Sequence, residues 1–161
     1  MTDRAALLRQ ADIFYDIPAE YLERVAGLCQ EHNYQAGETI FPEGAESDEL
    51  YIIVQGAVDI LVTASLVSRQ AEKQEAPGKI ATLRRGQSFG EVALVDQGVR
   101  SATTCAVEDD TRLLAIPRQG LMALCDAHPE LGYRLMRNLA ADLAMKLRNT
   151  DLLIRQEYLG I

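Results

Sequence analysis

The sequence predicts a mainly β protein: an antiparallel β-roll or jelly-roll of about eight short strands, with helices before and after it. The middle of the chain alternates short runs of strand-forming residues with turn signals such as Ala36-Gly37-Glu38. The last third instead carries a leucine at every fourth position from Leu131 to Leu147, which is a helical pattern. With 161 residues, 48% of them hydrophobic, the chain has the size of one domain with a single sizeable core.

Helices are predicted for residues 1–31. Ala5 and Leu8 share one face of a short first segment, and Pro18 opens a second helix in its first turn, where proline is tolerated. The second helix has apolar residues at helical spacing, which are Leu22, Val25, Ala26 and Cys29. A helical segment is therefore expected before the β-roll.

The β-roll is predicted to span residues 32–116. Val58, Ile60 and Val62 follow the two-residue period of a strand with one buried face. The polar stretch Ser65–Gly78 ends in a Pro-Gly pair, so its central part is expected to be an exposed hairpin tip. The predicted strands include Thr39–Phe41, Glu49–Gln55, Ala57–Thr63, Lys79–Leu83, Ala102–Val107 and Arg112–Ile116.

Residues 117–161 are predicted to be helical again. A first helix follows Pro117, and a longer closing helix runs roughly from Pro129 to Tyr158. A stripe of leucines on such a helix is most often a packing face against the chain's own sheet or a partner helix. This leucine ridge consists of Leu131, Leu135, Leu139, Leu143 and Leu147.

Charge and hydropathy limit the classes of partner. The net charge of −8 opposes non-specific attraction to nucleic acid or anionic lipid. No apolar run is long enough to span a bilayer, and charged residues such as Arg4 and Arg9 interrupt the N-terminal stretch where a secretory signal would lie. We therefore expect a cytoplasmic protein with neither nucleic acid nor a membrane as its partner.

Metal-ligating and disulfide patterns are missing from the sequence. Cys29, Cys105 and Cys125 are widely separated and have no C-x-x-C spacing. His32 and His128 lie far apart, without the neighbouring His or Glu ligands that a cupin enzyme needs inside its barrel. We expect no metal, no cofactor and no catalytic activity.

The stretch from Phe89 to Thr103 is the most informative about function. A buried phosphodiester is bound by backbone N–H groups at a glycine turn and by a guanidinium fork, and Gly90 and Arg100 are residues of these types. Glu91 would repel a phosphate, so it fits such a site only beside a hydroxyl donor such as a ribose 2′-OH. The alternative is a salt bridge between this glutamate and the arginine on a solvated loop.

This stretch resembles the phosphate-binding cassette of the cyclic-nucleotide-binding domain family, whose pattern is F-G-E-x-A-L, a short variable loop, and R-[STA]-A-[TS]. The nine-residue step from Glu91 to Arg100 resembles that of protein kinase A regulatory subunits and cyclic-nucleotide-gated channels. Residues 36–44 are similar to the family's entry hairpin, 50–56 to its central strand and turn, and 129–131 to the start of its closing helix. The resemblance implies the β-roll fold and cyclic nucleotide binding.

The resemblance also implies a role for each residue of the cassette. Glu91 would bind the 2′-OH, Arg100 the exocyclic phosphate oxygens, and the Ser101 hydroxyl the phosphate. The arginine is the only side-chain cation that the motif places against the phosphate. The resemblance also implies that Ala102 binds the phosphate through its backbone N–H. The remaining cassette positions implied to bind ligand are Gly90, Val92 and Ala93.

The base is implied to lie against apolar side chains at Ile60 and Ile80, and Thr150 on the closing helix is a candidate for a base-contacting hydroxyl. A threonine near the end of a long helix is otherwise a cap or a solvent-facing residue. Cyclic AMP is the preferred ligand and cyclic GMP the alternative. Ser101 is compatible with both bases, so it does not distinguish adenine from guanine.

The expected function is that of a regulatory sensor which acts on an unknown effector protein through movement of its closing helix. The bacterial activator of this family joins the domain to a DNA-binding helix-turn-helix, but too few residues follow Thr150 in this sequence for one to be expected. A ligand-blind module that dimerises or docks through the leucine ridge is the alternative function, and a homodimer through the C-terminal helix is left open.

Overall fold

The computed structural model describes residues 3–46, 48–62, 78–91 and 100–160. Their strands are β1 (Gln30–Tyr34), β2 (Thr39–Phe41), β3 (Glu49–Gln55), β4 (Ala57–Val62), β5 (Gly78–Arg84), β6 (Ser88–Phe89), β7 (Thr103–Ala106) and β8 (Thr111–Pro117). They pair antiparallel in two four-stranded sheets, with the orders β1-β8-β3-β6 and β2-β7-β4-β5. The predicted mainly β fold with flanking helices is confirmed.

Helices lie before and after the sheets. They are α1 (Arg4–Arg9), α2 (Ala19–Ala26), α3 (Arg118–Ala127) and α4 (Pro129–Leu159), with a 3₁₀ turn at Asp12–Phe14. Pro129 occupies the first turn of α4, where its missing N–H leaves no helical bond unmade. None of the described helices combines the length and the apolar character that a membrane span requires.

Several predicted boundaries differ from the structure. Strand β1 begins at Gln30, two residues before the predicted start of the β-roll, because it pairs with β8 from there. Strand β8 extends one residue further than predicted, to Pro117. Helix α2 ends at Ala26, capped by a glycine, so Cys29 lies beyond the helix to which it was assigned. Of the polar stretch Ser65–Gly78 only Gly78 lies within the described residues, where it begins β5, so the hairpin tip predicted for the centre of the stretch lies outside them.

Strand β3 is buried on both faces and separates two hydrophobic cores. Leu50 and Ile52 belong to the core that the first sheet forms with the helices. Tyr51 and Ile53 belong to the core between the two sheets. Double burial explains why this strand has a continuous apolar run instead of an alternating pattern. The core between the sheets supports the site described below.

The leucine ridge of α4 packs against the protein only in its first half. Leu131, Leu135 and Leu139 are buried, whereas Leu147 is 64% exposed. A helix turns by about 100° per residue, so positions four apart shift by about 40° at each step. The ridge therefore rotates out of the core along the helix.

Candidate functional site

A cavity of about 200 Å³ lies between the second sheet, the end of β6 and helix α4. Its lining includes eight of the predicted ligand-binding residues: Ile60, Ile80, Gly90, Glu91, Arg100, Ser101, Ala102 and Thr150. Val92 and Ala93, the other two, lie outside the described residues. The structure therefore brings together residues that are up to 90 positions apart in the chain.

Arg100 is held rigidly at one end of this cavity and is only 6% exposed. Its Nη2 donates to the Glu49 carbonyl at 2.8 Å, and its Nη1 donates to the Gly90 carbonyl at 3.4 Å. The guanidinium carbon lies 4.1 Å from the ring centroid of Phe41 and 5.6 Å from that of Tyr51. Two carbonyls and two aromatic rings thus fix the orientation of the guanidinium.

Among the described residues, the charge of Arg100 has no counter-ion in direct contact. Within the described part of the chain, no carboxylate lies within 4.0 Å of its guanidinium nitrogens, and its buried Nε has no hydrogen-bond partner. Burial lowers the pKa of the guanidinium, because desolvation disfavours the charged form, yet an arginine remains protonated at neutral pH. A desolvated cation that opens onto a cavity is suited to an anionic ligand.

Gly90 is required by the packing around Arg100. Its φ is +80°, a backbone conformation that residues with a Cβ rarely adopt. A Cβ built at this position would lie 2.5 Å from Nη1 of Arg100 and 2.9 Å from the Glu49 carbonyl oxygen. The absence of a side chain therefore allows the arginine to pack directly on the turn.

Glu91 is paired with a lysine from the closing helix. The Lys146 ammonium donates to Oε1 of Glu91 at 2.7 Å and to the Ser88 carbonyl at 2.7 Å. It also lies 3.0 Å from Oδ2 of Asp142, one helical turn earlier on α4. Side-chain exposure is 7% for each carboxylate and 26% for the lysine. The salt bridge between Glu91 and Arg100, which was the alternative interpretation, is not formed.

Lys146 was not identified from the sequence, and it is a second cation of the site besides the arginine that the cassette motif places there. The cassette motif contains the arginine alone, whereas the lysine enters from α4, 55 residues after Glu91. The signal that could have found it is the helical period, since Lys146 lies on the same face of α4 as Asp142 and Leu135.

The other predicted residues occupy different parts of the cavity. Ser101 is exposed at its edge and Ala102 is buried beneath it. Ile60 is half-buried and Ile80 is 41% exposed, so both form an apolar wall that is open to solvent. Thr150 lines the cavity, but its hydroxyl donates to the Lys146 carbonyl at 3.0 Å, within its own helix.

Aromatic side chains beneath Arg100 were not among the predicted site residues. Phe41, Tyr51 and Phe89 form a cluster in which Tyr51 and Phe89 stack with centroids 5.1 Å apart. Burial raises the pKa of the Tyr51 hydroxyl to about 12. The cluster joins strands of both sheets and supports the guanidinium from below.

Two curated relatives resemble the chain over most of its length. The cyclic AMP receptor protein of Thermus thermophilus is 34% identical over 145 residues, which are 90% of this chain and 61% of the relative. The cGMP-dependent protein kinase 2 of Homo sapiens is 31% identical over 112 residues, which are 70% of this chain and 14% of the kinase. The chain therefore spans less than two thirds of the length of either relative.

Structural similarity and the family match agree with these relatives. The crystal structure of the Thermus thermophilus catabolite activator protein superposes with a TM-score of 0.72 at 33% identity, covering 89% of this chain and 62% of that one. The family model described as "Cyclic nucleotide-binding domain" matches residues 31–128, which contain most of the β-roll, the cassette and α3. The chain belongs to the cyclic nucleotide-binding domain family.

Proposed function

We propose that the chain binds one cyclic nucleoside monophosphate in the cavity, with cyclic AMP preferred over cyclic GMP, and that it is a regulatory sensor without catalytic activity. The observation that carries the proposal is Arg100, a buried cation that no carboxylate of the described residues contacts, at one end of a cavity that also holds Glu91. A ligand that satisfies both residues has an anionic group and, a few ångströms away, a hydroxyl donor.

A cyclic nucleotide supplies both groups within one rigid ring system. In the proposed pose the phosphate lies against Arg100, the Ser101 hydroxyl and the backbone N–H of Ala102. The 2′-OH donates to Glu91, whose Oε2 has no described partner and whose charge is offset by Lys146. Lysine pairing explains how a carboxylate can lie close to a bound phosphate without strong repulsion.

The base is proposed to lie against Ile60 and Ile80, with Gly90, Val92 and Ala93 beside the sugar and phosphate. The two relatives carry names that refer to different bases, cyclic AMP in one case and cGMP in the other. The preference for adenine is therefore a proposal that the titration below decides.

Regulation is proposed to act through α4 on an effector protein in the cytoplasm. Lys146 and Thr150 place this helix directly against the cavity. A ligand that competes for Glu91 or fills the space below α4 changes the contacts of the helix, and so shifts its population between two positions.

Isothermal titration of the protein with cyclic AMP and with cyclic GMP tests the proposal. We expect a dissociation constant in the micromolar range or tighter for at least one of them, and weaker binding of 5′-AMP. Arg100→Ala should lose roughly 30- to 4,000-fold in affinity, because truncating one member of a buried charge pair costs about 2–5 kcal/mol. Arg100→Lys should recover only part of it.

A matched control for Arg100→Ala is Arg112→Ala. Arg112 lies on β8 and pairs with Glu31 at 3.5 Å on the surface, away from the cavity. Its removal should leave affinity unchanged. No heat at millimolar concentrations of either nucleotide would reject the proposal, and wild-type affinity in a folded Arg100→Ala variant would reject the placement of the phosphate.

A ligand-blind interaction module is the second candidate function, and exposed apolar residues on α4 favour it. The far end of the helix, beyond the β-roll, exposes Leu147, Leu152, Leu153, Ile154, Tyr158 and Leu159. A homodimer through this surface is compatible with either function. Sedimentation of the protein with and without cyclic nucleotide would show dimerisation and whether ligand affects it.

A further inference from the structure

Thr104 on β7 presents an unused hydroxyl to the cavity. The residue is 2% exposed, it lines the cavity, and its Oγ1 has no hydrogen-bond partner within the described part of the chain. Nearby strand threonines differ in this respect. The Thr103 hydroxyl accepts from the Glu43 backbone N–H at 2.9 Å, and the Thr111 hydroxyl donates to the Glu108 carbonyl at 2.8 Å.

An unpaired buried hydroxyl is unfavourable in the ligand-free protein. Desolvating such a group without a partner costs free energy, and buried polar atoms that lack one are rare in folded proteins. The orphaned hydroxyl of Thr104 faces space that a ligand can occupy. A ligand that pairs with it therefore gains an interaction for which the protein has already desolvated its own group.

The strand register places Thr104 between the two ends of the cavity. It lies opposite Ile60 of β4 on one side and Phe41 of β2 on the other. Ile60 belongs to the apolar wall, while Phe41 lies directly beneath the guanidinium of Arg100. The hydroxyl is thus in the floor of the cavity, where the apolar wall begins.

We infer that the Thr104 hydroxyl hydrogen-bonds to the purine base and contributes to base specificity; this inference rests on the proposed function. In the proposed pose the phosphate and the 2′-OH already have partners on the cassette. The base is left with nitrogen and exocyclic groups that its apolar neighbours, Ile60 and Ile80, cannot pair. Thr104 is the buried hydroxyl adjacent to Ile60 that can do so.

Thr104→Val tests the inference, because valine keeps the shape and removes only the hydroxyl. Two effects of opposite sign are expected. The ligand-free variant should melt about 2–4 °C higher, since an unpaired buried hydroxyl has been removed. Affinity for the preferred nucleotide should fall between about 2-fold and 10-fold, which is the effect of one neutral hydrogen bond. A lower melting temperature would show that the hydroxyl has a structural partner, and would overturn the inference.

Base analogues identify the group that is contacted. Wild type and Thr104→Val are titrated with cyclic AMP, with its 1-deaza, 3-deaza and 7-deaza analogues, with the cyclic monophosphate of unsubstituted purine riboside, and with cyclic GMP. The ratio of wild-type to variant affinity should fall to one for the cyclic AMP analogue that lacks the contacted atom. An equal ratio for cyclic AMP and all four of these analogues would place the hydroxyl against the sugar or phosphate and reject the role in base recognition.

Thr82→Val is the matched control. Thr82 lies on β5, and its hydroxyl donates to Asp59 at 2.6 Å outside the cavity lining. Its removal should lower the melting temperature and leave affinity unchanged. Unchanged affinity in Thr104→Val, with a wild type that binds, would reject this inference alone. A wild type that binds no cyclic nucleotide would reject the proposed function as well.

Discussion

Replacing Lys146 by methionine tests whether this lysine neutralises the buried carboxylates of Glu91 and Asp142 in the absence of ligand. Methionine retains most of the apolar length of the side chain but removes the ammonium that contacts Glu91 at 2.7 Å and Asp142 at 3.0 Å. Both carboxylates have side-chain exposures of 7%. The variant therefore leaves two buried negative charges close together without a cation, and we expect the ligand-free protein to be less stable.

The size of the loss follows from burial. Removing one partner of a fully buried ion pair costs about 3–5 kcal/mol. Because the Lys146 side chain is 26% exposed, solvent screening reduces this figure. We expect a loss of about 1–3 kcal/mol in the free energy of unfolding, which corresponds to a fall of roughly 2–12 °C in melting temperature.

Urea unfolding followed by circular dichroism, at low and at high salt, measures the loss. Lys79→Met, at an exposed position on β5, is the matched control and should stay within about 0.5 kcal/mol of wild type. Combining Lys146→Met with Asp142→Asn should restore part of the stability, because one of the two unpaired charges is removed. A Lys146→Met variant as stable as wild type would show that the lysine does not neutralise these carboxylates.

Two further substitutions test the packing beneath the site. Gly37→Ala, with a φ of +89° and nothing within 4 Å of the added Cβ, should lose only the backbone strain of about 1–3 kcal/mol, whereas Gly90→Ala should lose more, because its Cβ also displaces Arg100. Equal urea midpoints for these two variants would show that the contact with Arg100 imposes no constraint. Burial raises the pKa of Tyr51 from 10.0 to about 12, so the folded state holds this proton more tightly and stability falls as the pH rises from about 10 to about 12. In pH-dependent urea unfolding, Tyr51→Phe should lose less stability than wild type over that range. Part of the loss should remain, because burial also raises the pKa of the Cys29 thiol to about 11. A pH profile identical to that of wild type would contradict the assignment to Tyr51.

The strands were predictable because their signals are local, but their register was not. Val58 and Ile60, which were predicted to share one face, both contact the core between the sheets. The pairing of β4 with β5, however, shifts between Ile60 and Leu61, where Ile80 of β5 is the extra residue and lines the cavity. A bulge of this kind depends on the partner strand, so the alternation along one strand cannot show it.

The positions of leucines and charged residues along the closing helix predict part of its packing. Leucines at every fourth position form a ridge that drifts around the helix, since at about 100° per residue Leu147 lies about 160° around from Leu131. Measured in the same way, Asp142 and Lys146 lie about 20° and 60° from Leu131, between the buried leucines. Two charged residues on the buried face of a helix require a partner, since isolated charges are rarely buried. The sequence therefore contained the signal for a polar contact under α4, while its partner, Glu91, is brought there only by the folding of the β-roll. Because this contact joins the cassette to the closing helix, it is the route by which a ligand at Glu91 is proposed to act on the helix.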